Sequence, residues 1–176
     1  MLKYLHLTRL QWKGLLRWAL YGLVLLACLV LETVLFGRWK PLGAKITLVP
    51  PLLVCVCVRE GPEKGGLFAL IGSMLWCFAG TDFGNLSVAV CTVLAVLSAV
   101  LCKAVFTDRL ISSVLCCFVT VLVNGAVVFL FKVLMQGISA GGFWLVPLTA
   151  VLSTLISPGF FYLCKAISRI GGSHGI

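Results

Sequence analysis

Acidic residues are scarce in this sequence, which carries five acids and two histidines over 176 positions. The acids are Glu32, Glu60, Glu63, Asp82 and Asp108, and the histidines are His6 and His174. An enzyme in a membrane needs a nucleophile with a base, a pair of acids, or metal ligands gathered where helices meet. The chain has no paired carboxylates and neither an H-E-x-x-H nor a G-x-S-x-G motif. The sequence therefore predicts a protein that is not an enzyme, with no catalytic residues, no metal and no cofactor.

Long polar stretches are also missing from the chain. Hydrophobic residues make up 61% of the sequence and charged residues 11%, whereas an average soluble domain has roughly 25% charged residues. No polar block is long enough to form a water-soluble domain beside the apolar part. We therefore predict one integral membrane domain over residues 1–176.

Six apolar runs approach the roughly 20 residues that a helix needs to cross a bilayer. They cover residues 18–36, 42–58, 62–80, 86–105, 110–135 and 143–167. The predicted fold is an all-α polytopic membrane protein with about six transmembrane helices in one bundle. The second run is short and contains Lys45 and the pair Pro50-Pro51, so it could be broken, tilted or partly re-entrant. The first run follows a basic start that also fits a signal peptide, but its length favours a retained anchor.

The nine cysteines and the basic residues follow this apolar pattern. All cysteines lie within or at the ends of apolar runs and lack metal-site spacing, so we interpret them as small hydrophobic residues without disulfides. The net charge of +9 comes from bases in short turns. Bases in such turns are typical of contacts with anionic lipids and not of nucleic-acid binding.

The distribution of Lys and Arg also predicts the orientation, because cytoplasmic loops collect basic residues. With six spans and both termini cytoplasmic, ten bases fall inside and four outside. The inner set is Lys3, Arg9, Lys13, Arg17, Arg59, Lys64, Lys103, Arg109, Lys165 and Arg169, and the outer set is Arg38, Lys40, Lys45 and Lys132. The same arrangement predicts that the turn 80–85 lies outside.

Two residues within the predicted spans, Glu32 and Asn124, are candidates for an intramembrane polar site. Glu32 could mark an ion path or a polar partner inside the bundle. It could also lie at the membrane interface and pair with Arg38 or Lys40, which is the reading that its position near these bases favours. For Asn124 a hydrogen bond between helices is favoured over substrate binding.

The run at 59–80 changes abruptly from charged to glycine-rich sequence. Pro62 suits the first turn of a helix, and Glu63 is favourable at its positive end. In that helix Gly65, Ala69, Gly72 and Ser73 present small side chains at a spacing that lets another helix approach closely. This small face, Gly65–Ala69–Gly72–Ser73, could serve packing within the chain or contact with another protein, and internal packing is favoured.

Glycines and prolines recur along the chain in a particular order. The features are Glu60-Gly61, then Gly65, Gly72 and Gly80, then Phe83-Gly84-Asn85, and finally Pro147 and Pro158 before Phe160-Phe161-Tyr162. Over most of the chain, this order resembles the rod shape-determining protein MreD family. That family has a proline-containing second span, a turn with Glu-Gly and a glycine-rich third helix. Its last span contains two prolines before an aromatic and basic end. One departure is Trp76, which stands where the family has an aspartate.

The resemblance implies a non-enzymatic, multi-pass component of the bacterial inner membrane that takes part in cell elongation, cell shape and lateral peptidoglycan synthesis. The implied partners are MreC, MreB (directly or indirectly), the glycosyltransferase RodA and a penicillin-binding transpeptidase. A similar order of features occurs in the vitamin-binding S-components of energy-coupling factor transporters, which implies a shared kind of helical bundle. The alternative function is therefore a membrane subunit for small-molecule uptake, with a polar and aromatic pocket opening outward.

Overall fold

The computed structural model describes residues 9–36, 46–79, 84–105, 110–136 and 140–170, and all regular secondary structure in these ranges is helical. The α-helices are α1 (Arg9–Leu31), α2 (Val49–Glu60), α3 (Pro62–Phe78), α4 (Gly84–Val105), α5 (Leu110–Gln136) and α6 (Leu145–Ile170). A π-helical segment, Glu32–Phe36, continues α1, and a 3-10 turn, Ala140–Trp144, leads into α6. The predicted all-α class is confirmed for the described ranges.

Within these described ranges, four helical segments are long and apolar enough to cross a membrane: Gly14–Val34, Leu86–Lys103, Leu110–Met135 and Gly142–Arg169. The membrane character predicted from composition agrees with these four. The 12 residues of α2 and the 17 of α3 are shorter. At 1.5 Å per residue, α2 extends over only about 18 Å of a hydrocarbon layer of about 30 Å.

The second predicted span, 42–58, differs most from the observed helix, because α2 begins only at Val49. Pro50 and Pro51 lie in its first turn, where backbone N–H groups have no helical acceptor. The prolines therefore do not interrupt the helix, and the expectation that this segment is broken, tilted or partly re-entrant stays a prediction. They start the helix, and the three residues before it, 46–48, are not helical.

α2 forms the centre of the bundle, where it contacts α3, α4, α5 and α6 and, less extensively, α1. Every residue of α2 from Val49 to Cys57 is buried. Lipid therefore reaches little of this helix. A short helix is tolerated at membrane depth when other helices enclose it and satisfy its end groups.

Successive helices run in opposite directions, so that their polar ends gather at one end of the bundle. Arg17 near the start of α1 pairs with Glu60 at the end of α2. Arg59 at the same end of α2 donates to Ser168 near the end of α6. The start of α1 and the end of α6 therefore lie at one end, which we call the charged end.

Candidate functional site

Glu32 lies at the end of α1, at the first position of the π-helical segment, and is 1% exposed. Its Oε2 accepts hydrogen bonds from the backbone N–H groups of Leu48, at 3.0 Å, and Val49, at 3.3 Å. These donors belong to the first residues of α2, whose N-cap residue, Leu48, has no capping side chain of its own. The carboxyl of α1 therefore takes the role of an N-cap for α2 and lies at the positive end of that helix.

Trp76 on α3 completes the surroundings of this carboxyl. Its indole Nε1 donates to Glu32 Oε1 at 2.7 Å, and the side chain is 2% exposed. A buried indole N–H needs an acceptor and a buried carboxyl needs donors, so each side chain lowers the cost of burying the other. Glu32 thus joins α1, α2 and α3. Arg38 and Lys40, which the sequence offered as partners of Glu32, lie outside the described residues.

Nothing in the sequence pattern pointed to the contact between Glu32 and Trp76, which are 44 positions apart. Trp76 was notable only as the residue that replaces the aspartate of the MreD pattern. In the structure the carboxyl of Glu32, on the segment that continues α1, lies beside Trp76. The usable signal was the presence of one acid and one indole in otherwise apolar spans, since each needs a polar partner when buried.

Asn124 lies on α5 and is 4% exposed. Ser87 Oγ on α4 donates to its Oδ1 at 3.2 Å. A second pair joins the same two helices, because the hydroxyls of Ser98 and Thr120 lie 3.2 Å apart. In the structure, Asn124 is thus part of a hydrogen-bonded contact between helices.

The small face of α3 packs inside the chain. A Cβ on Gly65 would lie 2.5 Å from the Cα of Cys57, and one on Gly72 would lie 2.6 Å from Leu53 Cδ2. Ala69 and Ser73 are fully buried, and Ser73 Oγ lies 2.9 Å from Thr92 Oγ1 of α4. The face therefore contacts α2 and α4, and it leaves no accessible surface for another protein.

The charged end contains a polar cluster that the sequence did not indicate. Arg17 pairs with Glu60 Oε2 at 3.0 Å, and both side chains are mostly buried. Tyr21 Oη donates to Glu60 Oε1 at 3.0 Å and lies 3.4 Å from the carbonyl oxygen of Cys164. α1, α2 and α6 are joined at this point. The guanidinium of Arg59 lies beside them, 5.8 Å from the centre of the Phe161 ring.

The two polar clusters are formed around the carboxyls of Glu32 and Glu60. Within the described ranges, no three His, Cys, Asp or Glu side chains are grouped closely enough to hold a metal ion. The carboxyls of Glu32 and Glu60 already accept hydrogen bonds from protein donors. What these two acids do in the structure is hold helices together.

Comparison with known protein families, curated proteins and solved structures finds no match for this chain. Functional inference therefore depends on the residues and on their geometry.

Proposed function

We propose that this protein is a non-enzymatic, multi-pass component of the bacterial inner membrane that supports the cell-elongation machinery, as its resemblance to the MreD family implies. The observation that carries the proposal concerns the motif residues Gly61, Gly65 and Gly72. Gly61 has φ of 92° and ψ of 166°, a conformation essentially restricted to glycine. At Gly65 a Cβ would collide with the backbone of Cys57 on α2, and at Gly72 it would displace the end of the Leu53 side chain. Gly61 and Gly65, two of the glycines that form the resemblance, are thus required by the α2–α3 turn and packing.

The distribution of polar groups supports a structural role for the protein over a catalytic one. Glu32, Asn124 and Glu60 each form hydrogen bonds between helices. The outer surface of α3 is apolar and includes Leu67, 67% exposed, and Phe78, 86% exposed. A protein with such surfaces offers helix faces within the lipid to other membrane proteins. We propose MreC, RodA, a penicillin-binding transpeptidase and, directly or indirectly, MreB as the class of partners.

The proposed topology has six crossings, with both termini in the cytoplasm. Its support is that α1 begins and α6 ends at the charged end, where Arg17, Arg59 and Lys103 also lie. Basic residues concentrate on the cytoplasmic side. Reporter fusions after Asn85 and at the C-terminus test this proposal: the first should be active outside and the second inside. A C-terminal reporter that is active outside would show that one of the two short helices does not cross.

Depletion of the protein in its own rod-shaped cells tests the function. We expect cells to become round or swollen, and we expect wild-type protein supplied in trans to restore rods. The Gly65→Leu variant should fail to restore them because α3 can no longer approach α2. Gly22→Leu, on α1 at a position where a Cβ would meet no atom within 4 Å, serves as the control and should restore rods.

Growth of the same depleted cells in rich and in vitamin-free media tests the alternative of small-molecule uptake. An uptake subunit related to S-components would need a polar and aromatic pocket that opens outward, whereas the cavity at the charged end is lined mainly by charged residues. Normal rods whose growth is rescued only by a supplied vitamin would overturn the elongation proposal.

A further inference from the structure

A cavity of about 320 Å³ opens at the charged end of the bundle. Four bases and two acids line it around the Gly61-Pro62 turn: Arg17, Arg59, Lys64, Lys103, Glu60 and Glu63. Four bases against two acids leave an excess of two positive charges. The cavity is therefore electropositive, and its walls come from α1, α2, α3 and α4.

Glu60 is paired with Arg17, so the excess of two positive charges comes from three bases, Arg59, Lys64 and Lys103, against one acid, Glu63. Arg59 keeps its charge while it donates to the neutral hydroxyl of Ser168. Neither Lys64 nor Lys103 forms an ion pair with any residue in the part of the chain that the structure describes.

The first turn of α3 adds backbone donors to the same cavity. Its N-cap residue, Gly61, has no side chain to cap the helix, and Pro62 has no N–H. The N–H groups of Glu63 and Lys64 thus lie at the uncapped positive end of a 17-residue helix. Gly61 also leaves room for Lys103, since a Cβ there would lie 3.3 Å from Lys103 Nζ. Helix donors and ammonium groups therefore converge on one volume.

The position of the cavity matches the level of lipid headgroups. Lys103 is the last residue of one membrane-crossing segment, and Arg17 lies near the start of another. From the charged end toward the middle of the bundle, α3 exposes Leu67 and Ile71 after Lys64. In the same direction α4 exposes Val100, which precedes Lys103 in the chain. An acyl chain could lie along these apolar side chains while its headgroup occupies the cavity.

We propose that this cavity binds a phosphate group, supplied by the headgroup of an anionic lipid or by a soluble phosphate. Lys64 and Lys103 provide the attraction, the start of α3 provides N–H donors, and Glu63, which is exposed, opposes binding. This inference does not depend on the proposed role in cell elongation.

Binding by the full-length protein in detergent tests the proposal, with phosphatidic acid as the probe and phosphatidylcholine as the zwitterionic comparison. Native mass spectrometry would measure the bound lipid across a titration. We expect Lys64→Gln and Lys103→Gln to weaken phosphatidic acid binding by about fivefold each, as is usual for one base near an anionic lipid. Lys165→Gln is the matched control, because Lys165 lies at the same end without lining the cavity.

Glu63→Gln provides a test that does not depend on removing a base. Glu63 is exposed and lines the cavity, so its neutralisation should strengthen phosphatidic acid binding by a similar factor. Inorganic phosphate and glycerol phosphate, added as competitors, separate the two sources. If the soluble phosphates compete with the lipid and this competition depends on Lys64 and Lys103, the site is supported and soluble phosphate is identified as a ligand. If they do not compete while lipid binding still depends on the two lysines, the ligand is the lipid. The proposal would be overturned if every probe bound equally strongly to Lys64→Gln, Lys103→Gln, Lys165→Gln and Glu63→Gln.

Discussion

The indole N–H of Trp76 lies 2.7 Å from Glu32 Oε1, so that the end of α1 and the end of α3 are joined by one hydrogen bond inside the bundle. The second oxygen of the same carboxyl accepts from the first residues of α2. One side chain therefore fixes where three helices meet.

Removing this carboxyl should destabilise the protein strongly. Glu32→Ala leaves the N–H groups of Leu48, Val49 and Trp76 without this acceptor, and each buried unsatisfied donor costs about 1–3 kcal/mol. With three such donors at about 1 kcal/mol or more each, we expect a loss of at least about 3 kcal/mol, measured by denaturant unfolding in detergent. Trp76→Phe should cost less, since it removes one donor and leaves the other two bonds. If the free-energy losses of Glu32→Ala and Trp76→Phe simply add in the double variant, the hydrogen bond between the two side chains contributes nothing to stability.

Gly65→Ala should destabilise the contact between α2 and α3. The new Cβ would lie 2.5 Å from the backbone of Cys57, which cannot move as a flexible side chain does. The expected cost is about 1–3 kcal/mol, as for other overpacked interiors. The control is Gly22→Ala on α1, where a Cβ would meet no other atom within 4 Å. That variant should be as stable as wild type or more stable, by up to about 1 kcal/mol. Equal thermal stability of both variants would contradict the close approach of α2 and α3.

Gly61→Ala should be destabilising for a different reason, because the backbone at Gly61 has φ of 92° and ψ of 166°. A residue with a Cβ reaches this conformation at a cost of about 1–3 kcal/mol. Gly14→Ala is a suitable control, since that position has no neighbouring atom within 4 Å of a Cβ. The comparison requires the unfolding midpoint of each purified variant. A midpoint for Gly61→Ala equal to that of Gly14→Ala would mean that the α2–α3 turn adopts another conformation.

The Arg17–Glu60 pair should be more costly to break than to replace. Glu60→Ala leaves a mostly buried guanidinium without its carboxylate, and we expect a loss of about 3 kcal/mol. Replacing both residues, as in Arg17→Met with Glu60→Met, should recover a large part of this loss because no buried charge remains. Tyr21→Phe should cost about 1 kcal/mol through its bond to Glu60. Chemical unfolding of the three variants and the wild type measures these differences. If the double variant is as unstable as Glu60→Ala, the loss in Glu60→Ala does not come from an unpaired buried charge.

Long apolar runs made some elements predictable from the sequence. α4 was predicted over 86–105 and α5 over 110–135, and the observed helices are Gly84–Val105 and Leu110–Gln136. In these segments the length and continuity of hydrophobic sequence determine the helix. The start of α2 at Val49 was not predicted, because its first backbone donors are satisfied by Glu32, 16 and 17 residues earlier in the chain.

The polar contacts were predictable only in kind. Composition indicates that Glu32 and Asn124 need partners when they are buried, but not which partners. The partners Trp76 and Ser87 are 44 and 37 positions away. The cluster of Arg17, Tyr21 and Glu60 was missed because the sequence places Arg17 only among the cytoplasmic bases and Glu60 only in the Glu60-Gly61 turn. The packing of α1 against α2 brings them together.

The enclosure of α2 has a consequence for the order of assembly during synthesis. α2 emerges from the ribosome before α4, α5 and α6, the helices that cover it. At 12 residues it is too short to remain stably in lipid alone. The tight Gly61 turn and the glycines of α3 let α2 and α3 associate first as a hairpin. Chains truncated before Leu145 lack α6 and should therefore leave one side of α2 uncovered, which makes them substrates for membrane proteases.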